Sequence, residues 1–488
     1  MKNRTMALWA LMAGALAVSA EASAKTYTVG PKGRQYTQLA DVFERNSLAP
    51  GDVVEVDGDA VYAGGIVVDA DDGGSESAPV IIRWRRDSGT RRPVLLGGRY
   101  HTIKFQQSNH VVFEGFEVTG GPNSCIFSEA HDVTVRDVIV RDCPGHGILG
   151  ADLLSGSFTL EYSEIRNAGN GMGQHSIYMQ SDEMAYPGSV FRMRFNYLHS
   201  PGGGNLVKVR HERSDIRYNW MEGATYQVLE LIGPDCWEQS EGWDAGLRRE
   251  DADVVGNVIV QAGRWPNAIR IGGDLNGRSE GRVRLVGNTI VFPRRGDANV
   301  VMAQLGAGSL EMHNNLIHQI GGGELRVLRE NVVDDTPEPC GPQGREPWSD
   351  GRRVAGSHNW IVAGAHVPAE WRDTLRGQQP GFADAARLQL RPVADAGLIG
   401  TAAPAAPAAF PYPVPLRLPE FEPPPRQKIE PGQEQARKDI GQPAIGAFAG
   451  REAGAATAAT GTAVRKYRKH SAAASPSLRT WSAPAGQR

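Results

Sequence analysis

Aromatic residues are scarce in this chain, at 7% of 488 positions, and there are only four cysteines. No charge of either sign dominates. The net charge of -3 excludes both the strongly basic face of a nucleic-acid binder and a membrane-surface protein. No Cys-x-x-Cys pair and no His/Cys cluster marks a zinc site. Beyond the start of the chain no apolar run approaches the ~20 residues of a membrane-spanning helix. What is abundant is glycine, 59 residues, which points to many turns between many short elements.

The start of the chain reads as an export signal over 1–24. Lys2 and Arg4 precede an apolar run from Met6 to Val18, and Ala22-Ser23-Ala24 supplies small residues for cleavage before Lys25. The expected destination of the mature, membrane-free chain is the periplasm or the cell exterior. Disulfides are permitted there. Cys125, Cys143, Cys236 and Cys340 allow three connectivities. Cys236 and Cys340, both in long Trp- and Pro-containing insertions, are the favoured pair.

A short pattern recurs from residue 109 onward, in segments such as Val135-Arg136-Asp137-Val138-Ile139, Val255-Gly256-Asn257-Val258-Ile259 and Val286-Gly287-Asn288-Thr289-Ile290. Anchored at Gly115, Asp137, Tyr162, Asn196, Asn219, Asn257, Asn288 and Asn315, its steps are 22, 25, 34, 23, 38, 31 and 27 residues. The short steps match one bare solenoid coil and the long ones a coil plus a loop. Asparagine suits tight corners, where it tolerates left-handed backbone and bonds neighbouring backbone. Propeller blades need periods of about 40 to 50 residues. The expectation is therefore an all-β fold, a right-handed parallel β-helix over 25–403. A helix over 37–46, with Leu39, Val42 and Phe43 on one face, caps its leading end. Residues 404–450 read as a Pro-rich extended segment ending in a last strand near Ile440, and 451–488 as a disordered tail.

Apolar alternation aligns Ile177-Tyr178-Met179-Gln180, Val207-Lys208-Val209-Arg210, Leu229-Glu230-Leu231, Ile269-Arg270-Ile271 and Ala303-Gln304-Leu305. With the apolar members inward, Tyr178, Gln180, Lys208, Arg210, Glu230, Arg270 and Gln304 face out. Stacked coils then turn them into one polar stripe able to hold an extended acidic sugar chain. The bland alternative is a solvated ion-pair ladder, each pair contributing about 0 to 1 kcal/mol. His175 and His211 beside the stripe, and Asp235 and Asp274 in flanking loops, favour a site. His146 reads as a structural turn residue. β-Elimination beside a uronate carboxylate suits the set. Lys208 is the candidate base, Arg210 or Arg270 the carboxylate neutraliser, Tyr178 the acid or positioning hydroxyl, and Glu230 the group that orients Lys208. Ca²⁺ binding through Glu230 needs Asp235 or Asp274 to join it.

His175-Ser176-Ile177-Tyr178, Val207-Lys208-Val209-Arg210, Glu230-Leu231-Ile232-Gly233-Pro234-Asp235, Tyr27-Thr28-Val29-Gly30-Pro31 and Asp439-Ile440-Gly441 together resemble a group of exported bacterial right-handed β-helix proteins. Those proteins are similar to polysaccharide lyases of the chondroitinase-B and alginate-lyase type. The resemblance spans about 25–450 and implies a Lys base at Lys208, assisted by an Arg on a neighbouring coil. Val209 stands where the group has Ser, an insertion replaces its Gly-Gly turn, and its Ca²⁺-binding acidic trio has no counterpart. The function expected is a lyase acting on an acidic polysaccharide as a monomer. The alternatives are a glycoside hydrolase or uronan C5-epimerase on the same fold, or a non-catalytic polysaccharide-binding protein.

Overall fold

The computed structural model describes residues 24–233, 250–274, 279–333, 346–393, 396–398, 401–403, 408–426, 440 and 444–448. The expected export signal up to Ser23, the expected tail 451–488, Asp235, Cys236 and Cys340 lie outside them.

Each coil contributes one short strand to each of three sheets in turn, as Val133–Arg136, Ile139–Cys143 and His146–Gly150 do. Successive coils stack in parallel register into sheets of 13, 12 and 10 strands. The molecule is a right-handed parallel β-helix. Alternation decides which side chains enter it. On the thirteen-stranded sheet Phe113, Val135, Leu160, Met193, Ile216, Val254, Leu285 and Met312 are aligned from coil to coil and all buried. These rows form one continuous apolar core along the axis.

One corner is built from amides. Asn196, Asn219, Asn257, Asn288, Asn315 and Asn359 are buried and stacked. In each step the Oδ1 of one residue accepts from the backbone N–H and the Nδ2 of the residue before it in the stack. The asparagines do not themselves take the left-handed conformation expected of them. The residue before each does: Phe195, Tyr218, Gly256, Gly287, Asn314 and His358 have φ between 53° and 67°. Gly115, Asp137 and Tyr162 share that left-handed position, at φ of 88°, 52° and 52°. The first three anchors therefore sit one residue early, and Ser163 is the position equivalent to Asn196, whose Oδ1 accepts its N–H. Asn359 adds a rung beyond the last one read from sequence.

The leading end is closed by the helix Ala40–Arg45, shorter than expected, with Leu39, Val42 and Phe43 buried. The disulfide joins Cys125 to Cys143 inside the coil. Residues 408–426 lie along the outside of the thirteen-stranded sheet. Glu311 accepts from the N–H of Ala409 and Phe410, and Tyr412 lies 3.5 Å over the buried Arg284–Asp253 pair. Ile445 and Ala447 are buried against the outside of the twelve-stranded sheet, and 444–448 forms a bridge and bends rather than a strand. No helix among the described residues is long and apolar enough to cross a membrane.

Candidate functional site

The ten-stranded sheet carries the candidate residues on its outer face. Register places Phe127, Leu149, Tyr178, Lys208, Glu230, Arg270, Met302 and Arg329 side by side on successive coils. The four residues expected as neighbours, Tyr178, Lys208, Glu230 and Arg270, are adjacent. Gln304 is not in this row. Met302 aligns with Arg270, and Gln304 aligns with Gly272 two positions along the strand, where it is buried. Gln180 and Arg210 pair with each other in that second row. Gln180, Arg210 and Gln304 of the second row are buried, Arg210 beneath Asp274 and the Gly233 carbonyl, so the open stripe is narrower than alternation alone implied.

At the centre three cations meet two carboxylates. Arg270 Nη2 lies 2.8 Å from Glu230 and 2.9 Å from Asp274. Lys208 Nζ lies 3.2 Å from Asp274 and 3.7 Å from Glu230. Arg210 donates to Asp274 at 2.8 Å and to the Gly233 carbonyl at 2.8 Å. Arg210 and Glu230 are each only 3% exposed, which makes this a desolvated network rather than the solvated ladder of the bland reading. Buried charges persist only when paired and hydrogen-bonded, as here.

Beneath the cluster a ladder of polar side chains fixes Glu230. His146 Nδ1 accepts the His175 N–H, His175 Nδ1 accepts the Asn205 N–H, both at 3.0 Å, and Asn205 donates from its amide to Glu230. Burial, with the charge of Lys208 as the next cause, pushes His175 down to about 2; burial pushes His146 down to about 4. Both rings are neutral acceptors at neutral pH, so His175 is a scaffold residue rather than a sugar contact. Tyr178 packs edge-on to His175 and lies under the Lys208 ammonium at 5.1 Å, its hydroxyl donating to Gln180 at 3.2 Å. His211 is fully buried, bonds the Gly156 carbonyl at 3.0 Å and packs near Phe191, so it lines no groove.

Asn205 was missed from sequence, yet a signal for it exists. His175, Asn205, Gln227 and Asn267 each stand two residues before the first inward aliphatic residue of their strand, and at His175 and Asn205 the side-chain acceptor meets the next coil's backbone.

A divalent cation does not fit the described residues. Glu230 and Asp274 are already engaged by three cations, and no three His, Cys, Asp or Glu side chains converge among the described residues. A larger cavity of about 440 Å³ lies elsewhere, between residues 414–421 and the thirteen-stranded sheet; its Arg194 and Arg217 are both paired with Asp215.

A parallel β-helix bearing a buried charge cluster on one outer sheet face is what the coordinates define. No protein family and no curated relative matches the chain. Solved structures similar to it include an alginate lyase from a Paenibacillus species, at 17% identity and TM-score 0.39 over 62% of this chain and 97% of that one. A pectate lyase is 11% identical, TM-score 0.39, over 75% and 84%. A polysaccharide lyase from Pseudopedobacter saltans is 9% identical, TM-score 0.33, over 73% and 92%.

Proposed function

We propose that the chain is an exported lyase that cleaves an acidic, uronate-containing polysaccharide by β-elimination on the ten-stranded sheet. The observation that carries this reading is the convergence of Lys208, Arg210 and Arg270 on Glu230 and Asp274 beside the Tyr178 ring. Arg270, the more exposed guanidinium, pairs with the substrate carboxylate and makes the C5 proton acidic. Arg210, buried against Gly233, is a positioning residue that holds Asp274. Lys208, having released its own proton to solvent, takes the C5 proton. The C4–O bond breaks as a C4=C5 double bond forms, and the Tyr178 hydroxyl supplies the proton to the leaving oxygen. Glu230 orients Lys208 and is itself fixed by Asn205.

Hydrolysis is less well supported. It needs one carboxyl held protonated as the acid, whereas Glu230 and Asp274 both serve as partners of the same Arg270 nitrogen. Incubation with a panel of uronic-acid polysaccharides, followed by ultraviolet absorbance of unsaturated ends, tests the reading. Absorbance should rise, and Lys208→Ala should cut the rate by about 10²- to 10⁴-fold, the range of a general base. Reducing ends without absorbance would establish hydrolysis instead. Inverted uronate configuration without scission would establish epimerisation, and binding with no product a non-catalytic role.

A further inference from the structure

Three loops leading from the twelve-stranded into the ten-stranded sheet meet at the edge of the coils that carry Glu230, Arg270 and Met302. They hold Tyr226, then Arg264 and Trp265, then Arg294 and Arg295. Together the last two loops line a cavity of about 230 Å³. Trp265 is 41% exposed, unusual for an indole, which ordinarily buries its large apolar face. The Tyr226 ring meets it edge-on at 5.7 Å and braces one side of the indole.

The loops are tied down. The buried Gln261 amide donates to the Tyr226 carbonyl and, at 2.8 Å, to the Asn267 carbonyl, joining two coils. Gln319 donates to the Gly296 carbonyl and at 3.2 Å to the Gly322 carbonyl, while Gly296 N–H bonds Gly322 at 3.1 Å. The charge of the corner is one-sided. Arg264, Arg294 and Arg295 are exposed and none forms an ion pair with a carboxylate among the described residues, although Asp297 also lines the cavity. On the thirteen-stranded sheet, by contrast, Arg83, Arg136, Arg282 and Arg284 each pair with an aspartate or glutamate on the preceding coil.

An exposed, braced indole supplies a flat apolar platform for the C–H face of a pyranose ring, and guanidiniums pair with carboxylate geometry. We infer that the Trp265 corner is a second saccharide site that binds a uronate unit of the polymer outside the Lys208 cluster. This rests on the reading of the chain as a protein of acidic polysaccharides. Trp265 precedes Arg270 by five residues, at most about 17 Å of extended strand, so one polymer chain can occupy both places. The corner anchors the chain while the cluster reacts.

The test is electrophoresis of the full chain through gels containing alginate, polygalacturonate or neutral dextran, with turnover of the same polymers followed by ultraviolet absorbance. Trp265→Ala and the double variant Arg294→Ala/Arg295→Ala should be retarded roughly tenfold more weakly by a polyuronate than the parent, with Trp265→Phe partly restored. Their turnover should show a raised KM and an unchanged kcat, and dextran should retard none of them. Lys208→Ala should be retarded like the parent while forming no product. Equal retardation of parent, Trp265→Ala and the double arginine variant would overturn the inference, as would a parent that no polyuronate retards. Trp265-dependent retardation with no unsaturated product from the parent would sink the lyase reading and leave the corner standing.

Discussion

At the residue scale, buried amides and imidazoles set both the corner and the site. Asn257 shows how completely such a group is used. Its amide donates to the Ile216 carbonyl at 2.9 Å and to Asn288 Oδ1 at 3.0 Å, and its Oδ1 accepts twice from Asn219. Asn257→Ala takes their Asn257 partner from the Asn219 N–H and the Ile216 carbonyl in a dry corner, while the Asn219 amide keeps the Met193 carbonyl, at about 1–3 kcal/mol for each buried group so stranded. A total loss of roughly 2–4 kcal/mol is expected as a lowered denaturant midpoint. A midpoint equal to that of the parent would mean that the ladder is ornamental to stability. The signal here was readable, since the recurring Asn was visible in the chain. Its role was not, because the neighbour one residue earlier takes the left-handed turn and frees the Asn to point inward.

At the scale of elements, the cap helix decides whether the solenoid ends cleanly. Leu39 is fully buried at the helix start, where it closes the first coil. Leu39→Ala removes that plug and should cost about 2–5 kcal/mol, the range for a buried leucine. Because an uncovered end of stacked strands presents unpaired edges, early proteolysis of the leading coils and a larger hydrodynamic size should accompany the loss. A variant with unchanged protease sensitivity would show that the helix caps nothing. Spacing alone places this helix correctly but overstates its length, since only the turn carrying Val42 and Phe43 has a core to pack on.

For the whole molecule, pH gathers these local environments into one measurable trend. Burial is the leading cause that holds His101, His146 and His318 down to about 4, His211 to about 3 and His175 to about 2. In the unfolded chain each titrates near an ordinary value of about 6.5. Between about 6.5 and those lower values the unfolded state binds more protons, so stability falls as pH falls, by about 1.4 kcal/mol per proton per pH unit. Asp72, raised to about 6 chiefly by burial, acts in the opposite sense between about 3.8 and 6, and Glu212, also raised chiefly by burial, joins it, but these are two groups against five histidines. The thermal midpoint should therefore drop steadily from pH 7 to pH 4; a flat profile would refute the neutral, buried histidines on which the site ladder depends.

The sequence by itself determined the solenoid, because periodic alternation and a repeated corner residue are local properties that any coil can satisfy only by stacking. It also named Tyr178, Lys208, Glu230 and Arg270, since inward and outward faces follow from parity along a strand. Only the tertiary structure decided which rows lie beside which. It moved Gln304 out of the stripe and put Met302 there, turned His175 and His211 from groove residues into buried supports, and joined Cys125 to Cys143. The physical reason is that register between coils depends on how many residues each intervening loop consumes. Parity cannot count residues that leave the sheet and return.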